Sequence, residues 1–322
     1  MSAFVAEPTT ALEIESIGNG TGLWLPPEVR DEVERVQSGT SAAELTAGVV
    51  ELRNLIGGSA DLFHAAMLAL MCGTMVEHGA EPGAAIDATL DLLVATLNTL
   101  AEDPDEMARA ASRLSIPAAM TMLARSKETR KRWRARPEIM DRLEALEDAD
   151  LAPFWLREVF TLHDDAPLLV LDPNNRRAFE FRLIGVRDRL YHCYALLQDA
   201  LLRHTGPGYL GAEPVDPLAV RYARNDHLTP ADYRAATTLG DHQRFAFAYP
   251  GIAFMPGSGT PAELPTVDGV PLLTVSPKTI HFNWRPANMY GVIHEALGSS
   301  IDLIRELSPA DAEALLSRCA LP

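Results

Sequence analysis

Three polar residues alternate along a predicted strand at 279–284 and its immediate end, and their types could do chemistry. His281, Asn283 and Arg285 are spaced by two, so an extended backbone would project them to one face. An imidazole titrates near neutral pH, and a guanidinium binds carboxylates or phosphates through its planar fork. The pattern predicts a site for a small anionic group, with His281 as proton donor or acceptor and Asn283 and Arg285 as ligand-binding residues.

Two neighbouring segments could complete this site. His294 and Glu295 follow one element later and are further candidates for proton transfer. The stretch 250–265 is rich in Gly and Pro, and long loops of this kind often form lids or binding loops, which makes Ser258 a candidate ligand-binding residue. The alternative is that these side chains only satisfy polar groups at the ends of strands.

Sharper catalytic and metal-binding motifs are missing from the sequence. Position 298 is Gly, so His294 does not begin an HExxH zinc motif, and the glycines around Ser258 are adjacent to it, unlike those of a nucleophile elbow. The three cysteines lack the spacing of a zinc or iron–sulfur site; they are Cys72, Cys193 and Cys319. We expect no bound metal and no cofactor.

Two further constellations have ordinary structural interpretations. Asp188 and His192 are four apart on a helix predicted at 187–203, so the carboxylate could orient the imidazole, but we expect a structural histidine. The sequence GlyAsnGlyThrGly at 18–22 follows a strand-like run and could bind a phosphate. No second strand follows for a βαβ unit, so we expect a linker there.

A basic segment at 125–136 interleaves Trp133 with arginines. Its candidate binding residues are Arg130, Arg132, Trp133 and Arg134. Such a segment could hold a phosphate or a nucleic-acid backbone. The chain as a whole carries a net charge of −16, which opposes polyanions, and acidic residues follow between 144 and 150. We therefore expect the segment to bind the chain's own acids or a protein partner, and we expect no nucleic-acid binding.

The N-terminal part of the chain reads as successive helices. Apolar residues recur there every three or four positions, which predicts helices at 41–55, 59–78, 86–100, 104–124, 137–149 and 151–161. Ser59 or Asp61 can cap the second helix, and Gly79 can end it. We expect the second and third helices to form an antiparallel hairpin.

One apolar stripe on the second predicted helix admits two interpretations. It consists of Leu62, Met67, Met71 and Met75. We expect these side chains to pack in the core. Because methionine adapts its shape to ligands, the lining of a pocket is the alternative.

The pattern changes near residue 165. Two short runs at 167–172 and 178–184 flank a turn and predict a β-hairpin, and a helix follows at 187–203. Further strands are predicted at 244–249, 270–275 and 279–284, with helices from there to the end. The sequence predicts an α+β fold, mainly α, in which a helical N-terminal region packs on a C-terminal region with a small mixed or antiparallel sheet of about four or five strands.

The predicted organisation has three parts. Residues 1–22 form a flexible N-terminal segment, 23–162 a helical region and 163–322 an α+β region with the small sheet. No Gly-, Ser- or Pro-rich linker separates the last two, so we expect them to share a continuous core.

The composition limits the class of protein. Apolar residues make up 47% of the chain, which excludes a disordered protein, and no apolar run reaches the roughly 18–20 residues of a membrane helix. The start has neither the basic residues nor the apolar stretch of a signal peptide, and the odd, scattered cysteines argue against disulfides. Arginine far outnumbers lysine, which is typical of a GC-rich bacterial genome. We expect a cytoplasmic bacterial protein and no membrane partner.

No sequence feature assigns a function directly. Because no catalytic signature of high specificity is present, we expect a non-catalytic binding protein, an adaptor or accessory factor with a protein partner. The alternative is an enzyme that acts on a small anionic substrate. Its site would be assembled in the C-terminal region from His281, Arg285, His294 and the loop 250–265.

Overall fold

The computed structural model describes residues 39–102, 105–148, 154–240, 242–249, 257, 259–278, 293–294 and 296–319. The chain divides into two compact units, 1–160 and 161–322. The fold is α+β and mainly α, as predicted, with a helical first unit and a mixed sheet in the second.

The first unit is helical wherever it is described. Its helices are α1 (Ala42–Gly58), α2 (Leu62–Glu77), α3 (Ile86–Glu102), α4 (Glu106–Arg125), α5 (Lys127–Arg134), α6 (Pro137–Asp148) and α7 (Phe154–Phe160), with a 3-10 turn at Pro82–Ala84. Between 39 and 160, the described residues contain no strand. The helical spacing of the apolar residues therefore predicted α1 to α4, α6 and α7, but it did not predict α5, which lies in the basic segment.

Local chemistry fixes the ends of the first two helices. Ser41 and Glu44 form a capping box at the start of α1. The carboxylate of Asp61 accepts hydrogen bonds from the backbone N–H groups of Phe63 and His64, so Asp61 caps α2. Gly79, with a φ of +105°, turns the chain after α2, a conformation that only glycine adopts readily.

The helices of the first unit pack around α4. Helix α2 packs on α1 and α4, and α4 also packs on α3. The expected hairpin of α2 and α3 is only partly correct, because each of the two packs more extensively on α4 than on the other. The closest approach brings the backbones of α2 and α4 together: a Cβ added at Gly73 would lie 3.2 Å from the Cα of Ala118.

The second unit combines a sheet with helices on its faces. Its strands are β1 (Ala166–Asp172), β2 (Arg177–Ile184), β3 (Phe245–Ala248), β4 (Thr266–Val267), β5 (Val270–Pro277) and β6 (Ser300–Glu306). Its helices are α8 (Leu190–Thr205), α9 (Pro217–Arg224), α10 (Pro230–Ala236) and α11 (Pro309–Arg318), with 3-10 turns at Tyr209–Gly211 and Pro261–Glu263.

Within the described residues the sheet has six strands, in the order β3-β5-β1-β2-β6, with β4 paired to β5. Strands β1 and β2 form the predicted antiparallel hairpin, with Ala166 opposite Leu183. Strands β1 and β5 are parallel, with Leu169 opposite Leu272, and the other pairs are antiparallel. The sheet is therefore mixed and slightly larger than expected.

Strand β6 overturns the expectation that only helices follow residue 284. Ile301 and Leu303 alternate with Asp302, but Ile304 breaks the alternation. The structure shows the reason, since Leu303 lies opposite Phe181 and Arg305 opposite Glu180, which leaves Ile304 as the extra residue of a β-bulge. A bulge hides the period of two on which strand prediction depends.

The two faces of the sheet bury different helices. Helix α8 covers one face, where Tyr194 stacks on Phe247 with ring centroids 4.5 Å apart and Phe179 and Phe181 are fully buried. Helix α11 packs on part of the other face; the buried cluster there consists of Leu171, Ala178, Leu272, Ala312, Leu315 and Leu316. None of the described helices is both long enough and apolar enough to cross a membrane.

Candidate functional site

The basic segment forms helix α5, and its first candidate residue is used inside the fold. The Arg130 side chain is buried, and its Nη1 donates to the carbonyl oxygens of Leu123 (2.6 Å) and Ala124 (3.2 Å). These carbonyls end α4 and have no partner within that helix, so a cation there satisfies them and complements the helix dipole.

Two further candidates of this segment share one acid on α3. Arg132 forms an ion pair with Asp87, and the indole N–H of Trp133 donates to the same carboxylate at 3.1 Å. Arg136 stacks over the Trp133 ring at 4.3 Å and lies 3.7 Å from Asp91. Asp87 and Asp91 of α3 therefore lie beside the segment, and the sequence analysis did not single them out. Arg134 lies exposed at the end of the helix.

Most of the C-terminal candidates fall outside the part of the chain that the structure describes. They are Ser258, His281, Asn283, Arg285 and Glu295, and their convergence stays a prediction. His294 is described and is partly exposed. Its Nδ1 accepts from the backbone N–H of Ala296 at 3.1 Å, and its carbonyl oxygen accepts from the side-chain amide of Asn225.

The described part of the loop 250–265 is tied to the start of α8. The backbone N–H of Leu190 donates to the oxygen of Gly259 (2.9 Å), and that of Tyr191 donates to the oxygen of Gly257 (2.8 Å). A Cβ at Gly257 would lie 2.3 Å from the Tyr191 ring, so glycine is required for this approach. Because loop carbonyls take the first amides of α8, that helix end does not offer them to an anion.

A second close contact joins the end of β2 to the segment after His294. Gly185 has a φ of +59°, and a Cβ there would lie 2.6 Å from the oxygen of Gly298. The hydroxyl of Ser299 donates to the carbonyl oxygen of Gly185 at 2.8 Å. The backbone N–H of Ser299 donates to the carbonyl oxygen of Arg224 at 2.9 Å. The described ends of both candidate segments therefore meet the turn between β2 and α8.

A histidine–aspartate pair lies at this turn, and the sequence analysis did not find it. The Nε2 of His163 lies 2.8 Å from Asp188 Oδ1. A carboxylate can only accept, so Nε2 carries the proton and Nδ1 is the nitrogen that could take another. The two residues are 25 positions apart, and the bridge between His163 and Val186, with a hydrogen bond from the Gly185 N–H to Asp164 Oδ1 at 3.1 Å, brings their segments together.

The pairing of Asp188 with His192, which was the alternative to the expected structural histidine, does not form, because α8 begins only at Leu190 and Asp188 lies outside it. His192 is 1% exposed, its Nδ1 accepts from the Arg187 backbone N–H at 3.0 Å, and its Nε2 lies 2.7 Å from the Ala223 oxygen. Burial, together with the nearby Arg187 charge, lowers the pKa of His192 to about 3. It is a neutral structural histidine that holds α8 to α9.

A polar cluster at the far end of the β1–β2 hairpin is likewise consumed by the fold. Buried Asp172 accepts from the backbone N–H groups that follow it in the turn and from the Tyr209 hydroxyl. Glu306 accepts from Arg177 at 2.7 and 2.9 Å and lies 3.0 Å from His204 Nε2. The Arg177 hydrogen bonds lower the pKa of Glu306 to about 2. These contacts close β6 onto β2.

Metal-binding groups do not gather in the described residues, where no set of three or more His, Cys, Asp and Glu side chains could hold an ion. Cys72 and Cys193 are buried and Cys319 is partly exposed. Burial raises the pKa of the Cys72 and Cys193 thiols to about 12, so both are poor nucleophiles at neutral pH.

None of the four residues of the apolar stripe of α2 is fully buried, although we expected core packing. Met71 is 49% exposed, and Leu62, Met67 and Met75 are only partly buried. The buried residues of α2 are mostly small, namely Ala65, Ala66, Ala69, Cys72, Gly73, Thr74 and Val76, together with the larger Leu68. Small side chains let the backbones of α2 and α4 approach closely where Gly73 meets Ala118. Since α2 is apolar all round, spacing alone could not identify its packed side.

Helix α4 carries a matching stripe. Met107, Ala110, Leu114, Pro117 and Thr121 follow one another at intervals of three or four, and none of them is fully buried. Met107 is 55% exposed. The stripe lies beside Ala118, the residue of α4 that α2 approaches most closely.

Part of the apolar surface of α2 lies on the same side of the helix pair as the α4 stripe. Gly73 meets Ala118, and further along both helices Arg125 binds Glu77 at 2.6 and 3.0 Å, so α2 and α4 run in the same direction. Successive residues of an α-helix are about 100° apart around its axis. Phe63, Met67 and Leu70 therefore project to one side of the contact between Gly73 and Ala118, and the α4 stripe projects to that same side. We define the α2–α4 surface as Phe63, Met67, Leu70 and Met71 of α2 and Met107, Ala110, Leu114, Pro117 and Thr121 of α4.

No protein family model, no curated protein and no solved structure matches the chain.

Proposed function

We propose that the protein is a cytoplasmic, non-catalytic binding protein, an adaptor or accessory factor, and that it holds a protein partner on the α2–α4 surface. One observation carries the proposal: α2 and α4 approach closely through Gly73 and Ala118, and Met71 on α2 and Met107 on α4 are 49% and 55% exposed. Exposed apolar side chains of this kind mark interaction sites in proteins that otherwise keep apolar patches small.

The side chains on this surface suit a binding role. Burying apolar area contributes about 25 cal/mol per Å², and methionine side chains adapt to the shape of a partner. The buried polar side chains of His192, Asp172 and Arg130 form hydrogen bonds within the fold. A binding surface is therefore better supported than a reactive centre.

Photo-crosslinking in the source cells tests this proposal. A photoreactive p-benzoylphenylalanine replaces Met71, and the matched control carries it at Glu51, an exposed position on α1. We expect a discrete crosslinked protein from position 71 and not from position 51. Equal crosslinking from both positions, or none from position 71, would contradict the proposal.

A second candidate function is favoured by the His163–Asp188 pair. An imidazole that a carboxylate orients can transfer protons. The pair lies at the turn between β2 and α8, which the described parts of the loop 250–265 and of the segment after His294 contact. This supports the alternative of an enzyme acting on a small anionic substrate. Proton NMR of a mixture of small carboxylates and phosphate esters would show consumption by the wild type and none by His163→Gln. No consumption by either protein would remove this candidate.

A further inference from the structure

The turn between β4 and β5 carries a chemical feature that the proposed function does not use. Its two residues are Asp268 and Gly269, which form the only Asp–Gly pair in the sequence. We propose that this turn is a site of spontaneous backbone modification, the isomerisation of Asp268 to isoaspartate, and that Arg318 of α11 holds the reaction back. The site lies in the second unit and is independent of the α2–α4 surface.

The turn is tight, and its shape explains why these two residues occupy it. Val267 lies opposite Val270, so only Asp268 and Gly269 connect the strands. Their φ values are +52° and +80°, and positive φ at both central residues is the mark of a type I′ turn, which favours Asp–Gly. A Cβ added at Gly269 would meet no atom within 4 Å, and the Gly269 N–H forms no hydrogen bond within the described residues. The amide nitrogen that follows Asp268 is therefore unhindered.

An unhindered amide nitrogen in this position can attack the side chain that precedes it. The Gly269 nitrogen forms a bond to Cγ of Asp268, and the amide proton leaves with the hydroxyl group of the protonated carboxyl as water. The product is a cyclic succinimide, which a second water molecule opens. Cleavage of the bond between nitrogen and Cγ restores aspartate. Cleavage of the bond between nitrogen and the main-chain carbonyl carbon gives isoaspartate, whose backbone runs through Cβ and Cγ.

The side chain of Arg318 opposes this attack. Its two terminal nitrogens donate to the two carboxylate oxygens of Asp268, each at 2.7 Å. These hydrogen bonds lower the pKa of Asp268, so less of the acid form that can lose water is present. The planar contact through two hydrogen bonds also holds the carboxylate in one orientation. Because 74% of the Asp268 side chain is exposed, water reaches the site and the ion pair slows the reaction only moderately.

Isomerisation acts on the hairpin and on α11 together. Isoaspartate adds a methylene carbon to the backbone of a two-residue turn, so we expect the pairing of Val267 with Val270 to be lost. The free carboxylate then sits on Cα, where Arg318 no longer meets it in the same geometry. Helix α11 keeps its buried apolar contacts through Leu315 and Leu316, so the expected change is local.

Oxygen-18 labelling of the full chain tests this inference. The protein is incubated in H₂¹⁸O at pH 6.0 and 37 °C, digested, and analysed by mass spectrometry with electron-transfer fragmentation, which distinguishes aspartate from isoaspartate. Each passage through the succinimide adds an ¹⁸O atom. We expect label and isoaspartate at Asp268, and the label should accumulate about two- to fivefold faster in Arg318→Met, the range that an exposed ion pair supports. The digest separates this peptide from Asn19–Gly20, where deamidation changes the mass.

Two controls and a salt series isolate the role of Arg318. Arg176→Met removes an exposed arginine that binds Glu313 of the same helix, and it should accumulate label at the wild-type rate. Arg318→Lys keeps the charge without the planar fork and should lie between the wild type and Arg318→Met. Salt at about 1 M screens the ion pair, so it should raise the wild-type rate and leave the rate of Arg318→Met unchanged. This comparison decides the role of Arg318 even if Arg318→Met folds poorly by circular dichroism.

The possible results decide each half of the inference. Absence of label at Asp268 in both the wild type and Arg318→Met would overturn the modification site. Label that accumulates equally in the two proteins, at low and at high salt, would overturn the protective role of Arg318. Neither result bears on crosslinking through Met71, so the proposed function is tested separately.

Discussion

Buried His192 should make the stability of the second unit depend on pH. Its folded-state pKa of about 3 lies below the unfolded value of 6.5, so the unfolded chain binds a proton that the folded chain excludes. The contribution of the neutral ring is complete above pH 6.5 and is lost as the pH falls. At pH 5 the difference amounts to about 2 kcal/mol, from 1.36 kcal/mol for each pH unit below 6.5.

The structure explains why the proton is excluded. Burial is the larger cause, and the charge of Arg187 is the second. Both hydrogen bonds of the ring also require the neutral form, because Nδ1 must accept from the Arg187 N–H while Nε2 donates to the Ala223 oxygen. A protonated ring would turn the Nδ1 acceptor into a second donor facing an N–H group.

Urea denaturation followed by far-UV circular dichroism at pH 7.5 and pH 5.0 measures this effect. His192→Gln keeps a donor for the Ala223 oxygen but cannot be protonated, so we expect it to be less stable at pH 7.5 and to lose about 2 kcal/mol less than the wild type on going to pH 5.0. The control is His64→Gln, at an exposed position of the first unit. It measures how much the pH dependence of stability changes when an exposed histidine is removed. Equal losses in the wild type and His192→Gln would refute the reasoning.

Three further predictions concern the packing and the charges. The hydroxyl of Thr89 is buried without a hydrogen-bond partner, whereas the hydroxyl of Thr96 on the same helix donates to the Leu92 oxygen at 2.8 Å. Thr89→Val should therefore raise the free energy of unfolding by about 1 kcal/mol in urea denaturation, and Thr96→Val should not. Gly185→Ala places a Cβ against the Gly298 oxygen at a positive φ and should cost about 2 kcal/mol or more in the same assay, while Gly240→Ala, with no atom within 4 Å, should change little. Because Arg130 and Arg132 bind groups of the chain itself, the protein should not be retained on heparin at 150 mM salt, and low-micromolar DNA binding lost on neutralising Arg130, Arg132 and Arg134 would show otherwise.

Local patterns predicted the fold well where one period dominates. The spacing of three or four identified the helices of the first unit except α5, and the alternation of Phe179, Phe181 and Leu183 identified the β1–β2 hairpin. Strand β6 was missed because Ile304, the bulged residue, interrupts the alternation, and bulges are set by pairing with β2 rather than by local sequence.

The functional surfaces were harder to predict, for two physical reasons. The packed side of α2 was misassigned, because close packing through Gly73 and its small neighbours outweighed the size of the methionines. The His163–Asp188 pair depends on a backbone bridge between distant segments, which no spacing rule contains. The close approach of α2 to another helix could have been suspected from its small residues at helical spacing. They are Ala65, Ala66, Ala69, Cys72 and Gly73.

Methyl NMR of the complex tests the central claim most directly. Methionines labelled with ¹³C at the methyl group report separately on the α2–α4 surface, through Met67 and Met71, and on the core, through fully buried Met122. On addition of the crosslinked partner, we expect large shift changes at Met67 and Met71 and little change at Met122. Binding that leaves the Met67 and Met71 signals in place would contradict it.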